Sequence, residues 1–148
     1  MAYGGFAHAY RRPSLKLVNF ILRLGVGGVF VVAGALKIWD PTAFAGDIAN
    51  YRLLPHELIN LLAITLPWIE VAAGLLLVLG IWKRASAVLI TLMMIVFLVA
   101  IGQALARGLD IRCGCFGTVE ARKVGVLAMG QDALLFVVAA WLAWREKD

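Results

Sequence analysis

Four apolar runs of about twenty residues, at 15–38, 58–79, 85–106 and 124–144, constrain this chain more than any other feature. An α-helix rises about 1.5 Å per residue, so each run is long enough to cross the roughly 30 Å hydrocarbon core of a bilayer. A helix in a water-soluble bundle keeps a polar face at helical period. The stretch LITLMMIVFLVAI at 89–101 has no such face. Hydrophobic residues make up 63% of the chain and charged residues 16%, the latter gathered between the apolar runs. The expected fold is therefore all-α, a single membrane domain over residues 1–148 built as a four-transmembrane-helix bundle. The net charge of +5 lies beside the apolar runs, so lipid head groups, and not nucleic acid, are the expected counter-charge.

The first run has the basic lead RRPSLK and contains Ala33-Gly34-Ala35, features shared with a cleavable leader. It is read here as a retained helix. With the N-terminus inside, the cytoplasmic side carries seven basic residues: Arg11, Arg12, Lys16, Lys83, Arg84, Arg145 and Lys147. The outer side carries six: Lys37, Arg52, Arg107, Arg112, Arg122 and Lys123. The margin is small, and the Arg11-Arg12 lead and the tight Trp82-Lys83-Arg84 turn set the expected orientation, with both termini cytoplasmic. The connection 39–57 holds a further element. Asp40 can cap a helix with Pro41 at its first position, and Phe44, Ile48 and Tyr51 then share one face. A short interfacial helix between spans 1 and 2 is the expectation.

The chain's two cysteines, Cys113 and Cys115, stand in the sequence RCGCFG, within the polar connection 107–123. On the orientation above this turn is extracytoplasmic, where disulfides persist. A bent tripeptide can bring two such cysteines within disulfide range, and the small ring makes that bond labile and oxidising. Gly114 and Gly117 ease the backbone, and Arg112 favours the reactive thiolate. A bridge across three residues closes almost no loop, so it makes a poor structural staple. Two thiolates can also hold a soft metal ion, although a closed four-ligand site is not expected, since His8 and His56 lie on opposite sides and cannot both help. A redox dithiol is the leading reading, and soft-metal handling and a structural role are the alternatives. There is no second cysteine pair and no dinucleotide fingerprint. The electron partners that remain are a lipid-soluble quinone or the thiols of another protein.

Arg23, Glu70 and Asp132 fall inside the spans, where an ionisable group is expected to be paired or functional. Counted from the inner ends of their spans, they lie roughly 12, 15 and 18 Å deep. Arg23 and Glu70 are thus expected to pair as a structural pin. Gln131 and Asp132, with Gln103, are expected to form a polar step facing the bundle interior. That step suits an interhelical hydrogen bond or contact with a quinone carbonyl.

The stretches LRLGVGGVFVVAGALKIWDP (22–41), YRLLP (51–55), PWIEVAAGLLLVLG (67–80) and CGCFG (113–117) carry a resemblance. Over residues 19–144 the chain resembles the DoxX-like superfamily and, within it, the MauE family of methylamine-utilisation membrane proteins. The resemblance implies a four-helix bundle in a bacterial inner (cell) membrane. It also implies a part in forming or maintaining disulfides in an exported partner, often beside a thioredoxin-like protein, with Arg23, Glu70, Cys113 and Cys115 as the residues carried over. A non-catalytic subunit of a membrane complex is the competing reading.

Overall fold

A computed structural model describes residues 13–111 and 125–146. They form five α-helices: α1 (Pro13–Trp39), α2 (Pro41–Asn50), α3 (His56–Leu79), α4 (Lys83–Ala106) and α5 (Val126–Arg145). There is no strand among the described residues. Four helices, α1, α3, α4 and α5, have the length and composition to cross a membrane. The helices match the expected spans to within two residues at each end, and α2 is the short helix expected between the first two.

The long helices form a ring. α1 packs mainly on α3 and α4 mainly on α5, while α3 meets α4 and α5 returns to α1. The first pairing depends on glycine. A Cβ on Gly27 would lie 2.6 Å from Val78 Cγ2 and 2.8 Å from the Gly74 carbonyl. On Gly74 it would lie 2.7 Å from the Gly27 carbonyl, and on Gly34 it would lie 2.7 Å from the Pro67 carbonyl. Small residues let helices approach this closely in lipid, where van der Waals packing replaces the hydrophobic drive. Pro67 lies inside α3 without ending it.

The core between the pairs holds Val26 and Phe30 of α1, Ala73 and Leu77 of α3, Ile90 and Met94 of α4, and Ala139 and Leu142 of α5. Much of the outer surface is exposed Leu, Ile, Val and Trp, for example Val96 and Trp68, as suits helices solvated by lipid rather than water.

The ends are closed by local chemistry. Asp40 accepts from the Ala43 amide at 2.9 Å, and Pro41 follows as the first residue of α2. Gly80 ends α3 in the left-handed region at φ 78°, a conformation glycine adopts without a Cβ penalty. At the same end Lys83 and Glu146 are 3.5 Å apart, joining the start of α4 to the residue after α5.

Candidate functional site

The buried stripe of α1 runs Val26, Phe30, Ala33 and Lys37, at spacings of four, three and four. That period places Lys37 in the core although it stands two residues from the end of the helix. Its ammonium is 2.7 Å from Glu70 Oε1 and 2.9 Å from Oε2, and both side chains are essentially inaccessible, at 2% and 1% exposure. The rings of Phe44 and Phe97 lie 4.9 and 5.2 Å from the same nitrogen. A desolvated ammonium gains from such π-faces as well as from its carboxylate.

Two more carboxyls are buried nearby. Asp132 of α5 and Asp47 of α2 are each 3% exposed, and both contribute to the electrostatic field at Lys37. Asp132 shares the α5 stripe of Ala128, Ala139 and Leu142. Asp47 lies one turn beyond Phe44 on the inward face of α2. At the end of that helix, burial pushes the Tyr51 phenol up to about 12, with the Asp132 and Asp47 carboxyls adding to the shift. Tyr51 is therefore a neutral hydrogen-bond donor throughout the physiological range.

Two cavities border this group. One of about 20 Å³, lined by Lys37, Glu70, Asp132 and Phe97 among others, has room for a single water. The other, of about 350 Å³, lies between α2, α3 and α4, with Phe44, Asp47 and Tyr51 on its α2 side. Phe97 borders both. Chemically, the ensemble offers one ammonium, three carboxyls and a phenol beside an apolar chamber, a set able to hold and pass protons. Among the described residues no three His, Cys, Asp or Glu side chains converge as a metal-binding set.

The structure corrects the expected pairing of Arg23 with Glu70. Glu70 pairs with Lys37, and the Arg23 guanidinium donates to the carbonyls of Leu77 at 3.0 Å and Val78 at 3.3 Å. The depth count assumed that the spans begin level. The glycine contacts set Gly27 beside Gly74 and Val78, so Arg23 meets the last turn of α3, about 10 Å along the helix from Glu70. There it donates to carbonyls of the last helical turn, the Leu77 carbonyl also accepting from the Gly80 amide at 3.3 Å. The guanidinium also approaches Gly80, where a Cβ would lie 2.5 Å from Nη2.

The expected polar step is also corrected. Asp132 faces the interior, but Gln131 and Gln103 are exposed. Gln103 falls between the buried positions Ile101 and Ala104 and so points off the core stripe of α4. Sequence reasoning missed Lys37, counted as an outer flanking charge, and Asp47. The spacing from Phe30 to Lys37 and from Phe44 to Asp47 was the available signal.

Cys113, Cys115, Arg112, Gly114 and Gly117 lie outside the described residues. The described start of their connection packs at the α2 end of the bundle. Tyr51, Leu109 and Ile111 gather around Ile101 and Ala104, and Arg107 Nη1 donates to the Tyr51 carbonyl at 3.3 Å.

The family model described as methylamine utilisation protein MauE matches residues 15–145. The chain is similar to the methylamine utilization protein MauE of Methylorubrum extorquens, with 37% identity over 109 residues, covering 73% of this chain and 59% of that protein. It is similar to the protein of the same name from Paracoccus denitrificans, with 29% identity over 128 residues, covering 86% of this chain and 69% of the relative. A third, from Methylophilus methylotrophus, is 32% identical over 99 residues, covering 66% and 52%. The match thus spans less than two thirds of the length of the first of these relatives. No solved structure matches the chain. With the family model covering all four candidate spans and α2, the chain belongs to the MauE family.

Proposed function

We propose that this MauE-family protein is an integral membrane thiol–disulfide redox protein that uses Cys113 and Cys115 at the extracytoplasmic surface, with both termini cytoplasmic. The observation that carries this reading is the placement of the chain's whole cysteine complement, two residues apart, in one polar connection between spans. The Cys113–Cys115 disulfide takes two electrons and two protons from the dithiol of a thioredoxin-like partner, whose own disulfide forms. A membrane quinone then takes two electrons and two protons from the regenerated Cys113 and Cys115 thiols and leaves as the quinol. Arg112 favours the thiolate needed for exchange. The relatives are named for methylamine utilisation, so the partner is taken to belong to such a system, with this chain in a bacterial inner (cell) membrane. Kinship with the DoxX-like superfamily is part of this reading and rests on the sequence motifs.

Exchange passes through a mixed disulfide, and a lone cysteine cannot resolve it internally. In cells, either Cys113→Ser or Cys115→Ser should accumulate a reductant-sensitive adduct with an exported thioredoxin-like protein, and the double variant should give none. No adduct with either single variant, together with a stoichiometric thiophilic metal in the purified protein, would replace the redox reading with metal handling. No adduct and no metal would leave a structural subunit.

A further inference from the structure

We infer that the cavity between α2, α3 and α4 is the binding site for the ring of a lipid-borne quinone, with Tyr51 and Asp47 as the polar groups that meet its oxygens. The choice of ligand rests on the redox reading above; the location rests on the fold.

Three features select this occupant over an ordinary lipid tail. The first is size. At about 350 Å³ the chamber falls at the lower end of small-molecule sites, roughly 300–1,000 Å³, a volume suited to a substituted ring and the start of its tail. The second is access. Leu53, Leu54, Ile95, Val96 and Val99 line the cavity and are themselves exposed. They belong to the apolar surface of α4 and to the segment joining α2 to α3, so the mouth opens into the bilayer, where a quinone is dissolved. The third is asymmetry. The walls contributed by α3 and α4 are apolar, and the polar lining groups both come from α2. An acyl chain has no use for a buried carboxyl and a neutral phenol. A quinone carbonyl accepts a hydrogen bond, and Tyr51 donates one across the physiological range, its phenol being pushed up to about 12. A quinone becoming a quinol needs two protons, and the cavity's α2 wall adjoins a cluster built from proton-exchanging groups: Asp47 and Asp132 in one field with Lys37 and Glu70. Phe97, which borders both cavities, is the shared wall between ring and cluster.

The position also suits the cysteine connection. Tyr51 forms part of the cavity and also packs, with Leu109 and Ile111, around Ile101 and Ala104. One residue thus joins the chamber to the described edge of that connection.

The test uses the full chain in nanodiscs of one synthetic phospholipid, with an azido-substituted decyl benzoquinone as the photolabel. Label should map to α2 and α4 around Ile48, Val96 and Ala100. Excess decyl benzoquinone should displace it, and decanoic acid at the same concentration should not. Ala100→Trp, and separately Val96→Trp at the more exposed rim, should fill the chamber and remove the label from wherever the variant still melts cooperatively. Tyr51→Phe keeps the ring and removes the hydroxyl, and should raise the Kd for decyl benzoquinone about five- to tenfold, the effect of one neutral hydrogen bond. Label spread evenly over the lipid-facing helices, or displaced equally by decanoic acid, would overturn the site and leave the chamber to bulk lipid. Because these readouts do not involve Cys113 or Cys115, a double serine variant should bind as wild type does. A failure of mixed-disulfide trapping would therefore remove the redox reading while the binding result stands, and the converse pair of results would remove only the quinone site.

Discussion

Arg23 and Lys37, two of the cations of α1, stand fourteen residues apart, about 21 Å along the helix. Both answer the same difficulty, a positive charge among apolar neighbours, in opposite ways. Arg23 is only partly buried and donates hydrogen bonds to backbone carbonyls at the end of α3. Its charge completes a helix cap and complements the negative end of the helix dipole. Lys37 is fully enclosed and faces side chains: one carboxylate at hydrogen-bond distance, two aromatic rings and two further acids. A cation that serves the backbone stabilises a fold. A cation held among ionisable side chains beside a cavity has the makings of a site.

The largest expected effect tests that contrast at Lys37. Lys37→Met or Glu70→Gln strands part of a buried pair, a change that costs about 3–5 kcal/mol. Each single variant should lose thermal stability in detergent accordingly. Lys37→Met combined with Glu70→Gln should recover a substantial share of the loss, since a neutral pair leaves no orphan charge. Strictly additive losses would mean that the ammonium and the carboxylate do not meet.

Arg23→Met should cost less, about 2 kcal/mol, for the loss of charge-assisted bonds to the α3 terminus. Combined with Glu70→Gln its effect should add within about 0.5 kcal/mol, as for groups without shared partners. A coupling well above that, read from the same melting curves, would break the comparison by tying the two regions together. The smallest effect concerns α2. Asp40→Ala removes a single capping bond to Ala43, worth about 1 kcal/mol. It should appear as faster amide hydrogen exchange at Ala43 and Phe44, with exchange in α3 unchanged. Uniform acceleration through the bundle would mean that α2 has no stability of its own to lose.

The bundle was legible in the sequence because lipid imposes a simple rule, an apolar run of fixed length for each crossing, and because Asp40-Pro41 announces a helix start. The site was legible only in part. Glu70 and Asp132 stand out as acids in mid-span, yet the partner of Glu70 depends on how far α1 slides along α3. Glycines fix that register at Gly27, Gly34 and Gly74, and one sequence does not reveal which glycine meets which backbone. Lys37 was hidden by its address. A lysine followed by Trp39 and Asp40 reads as a helix-end charge in the head-group layer until the seven-residue interval from Phe30 is noticed. Asp47 was hidden because a single acid in a ten-residue connecting helix reads as solvated, although it follows Phe44 by three residues on the buried face. The expected interior roles of Gln103 and Gln131 failed for the related reason that polarity inside a span does not say which way the residue points.

The glycine seam has a further consequence for traffic. Where Gly34 lies against the Pro67 carbonyl and the Glu70 Cβ, the two backbones leave no gap for a methyl group, still less for a water or a lipid tail. That flank of the Lys37–Glu70 pair is a closed wall. Protons, waters and small molecules exchanging with the pair must pass on other sides, among which Phe44 and Phe97 stand against the ammonium. Two aromatic side chains thus flank an approach to a deeply buried charge, and α2 supplies one of them.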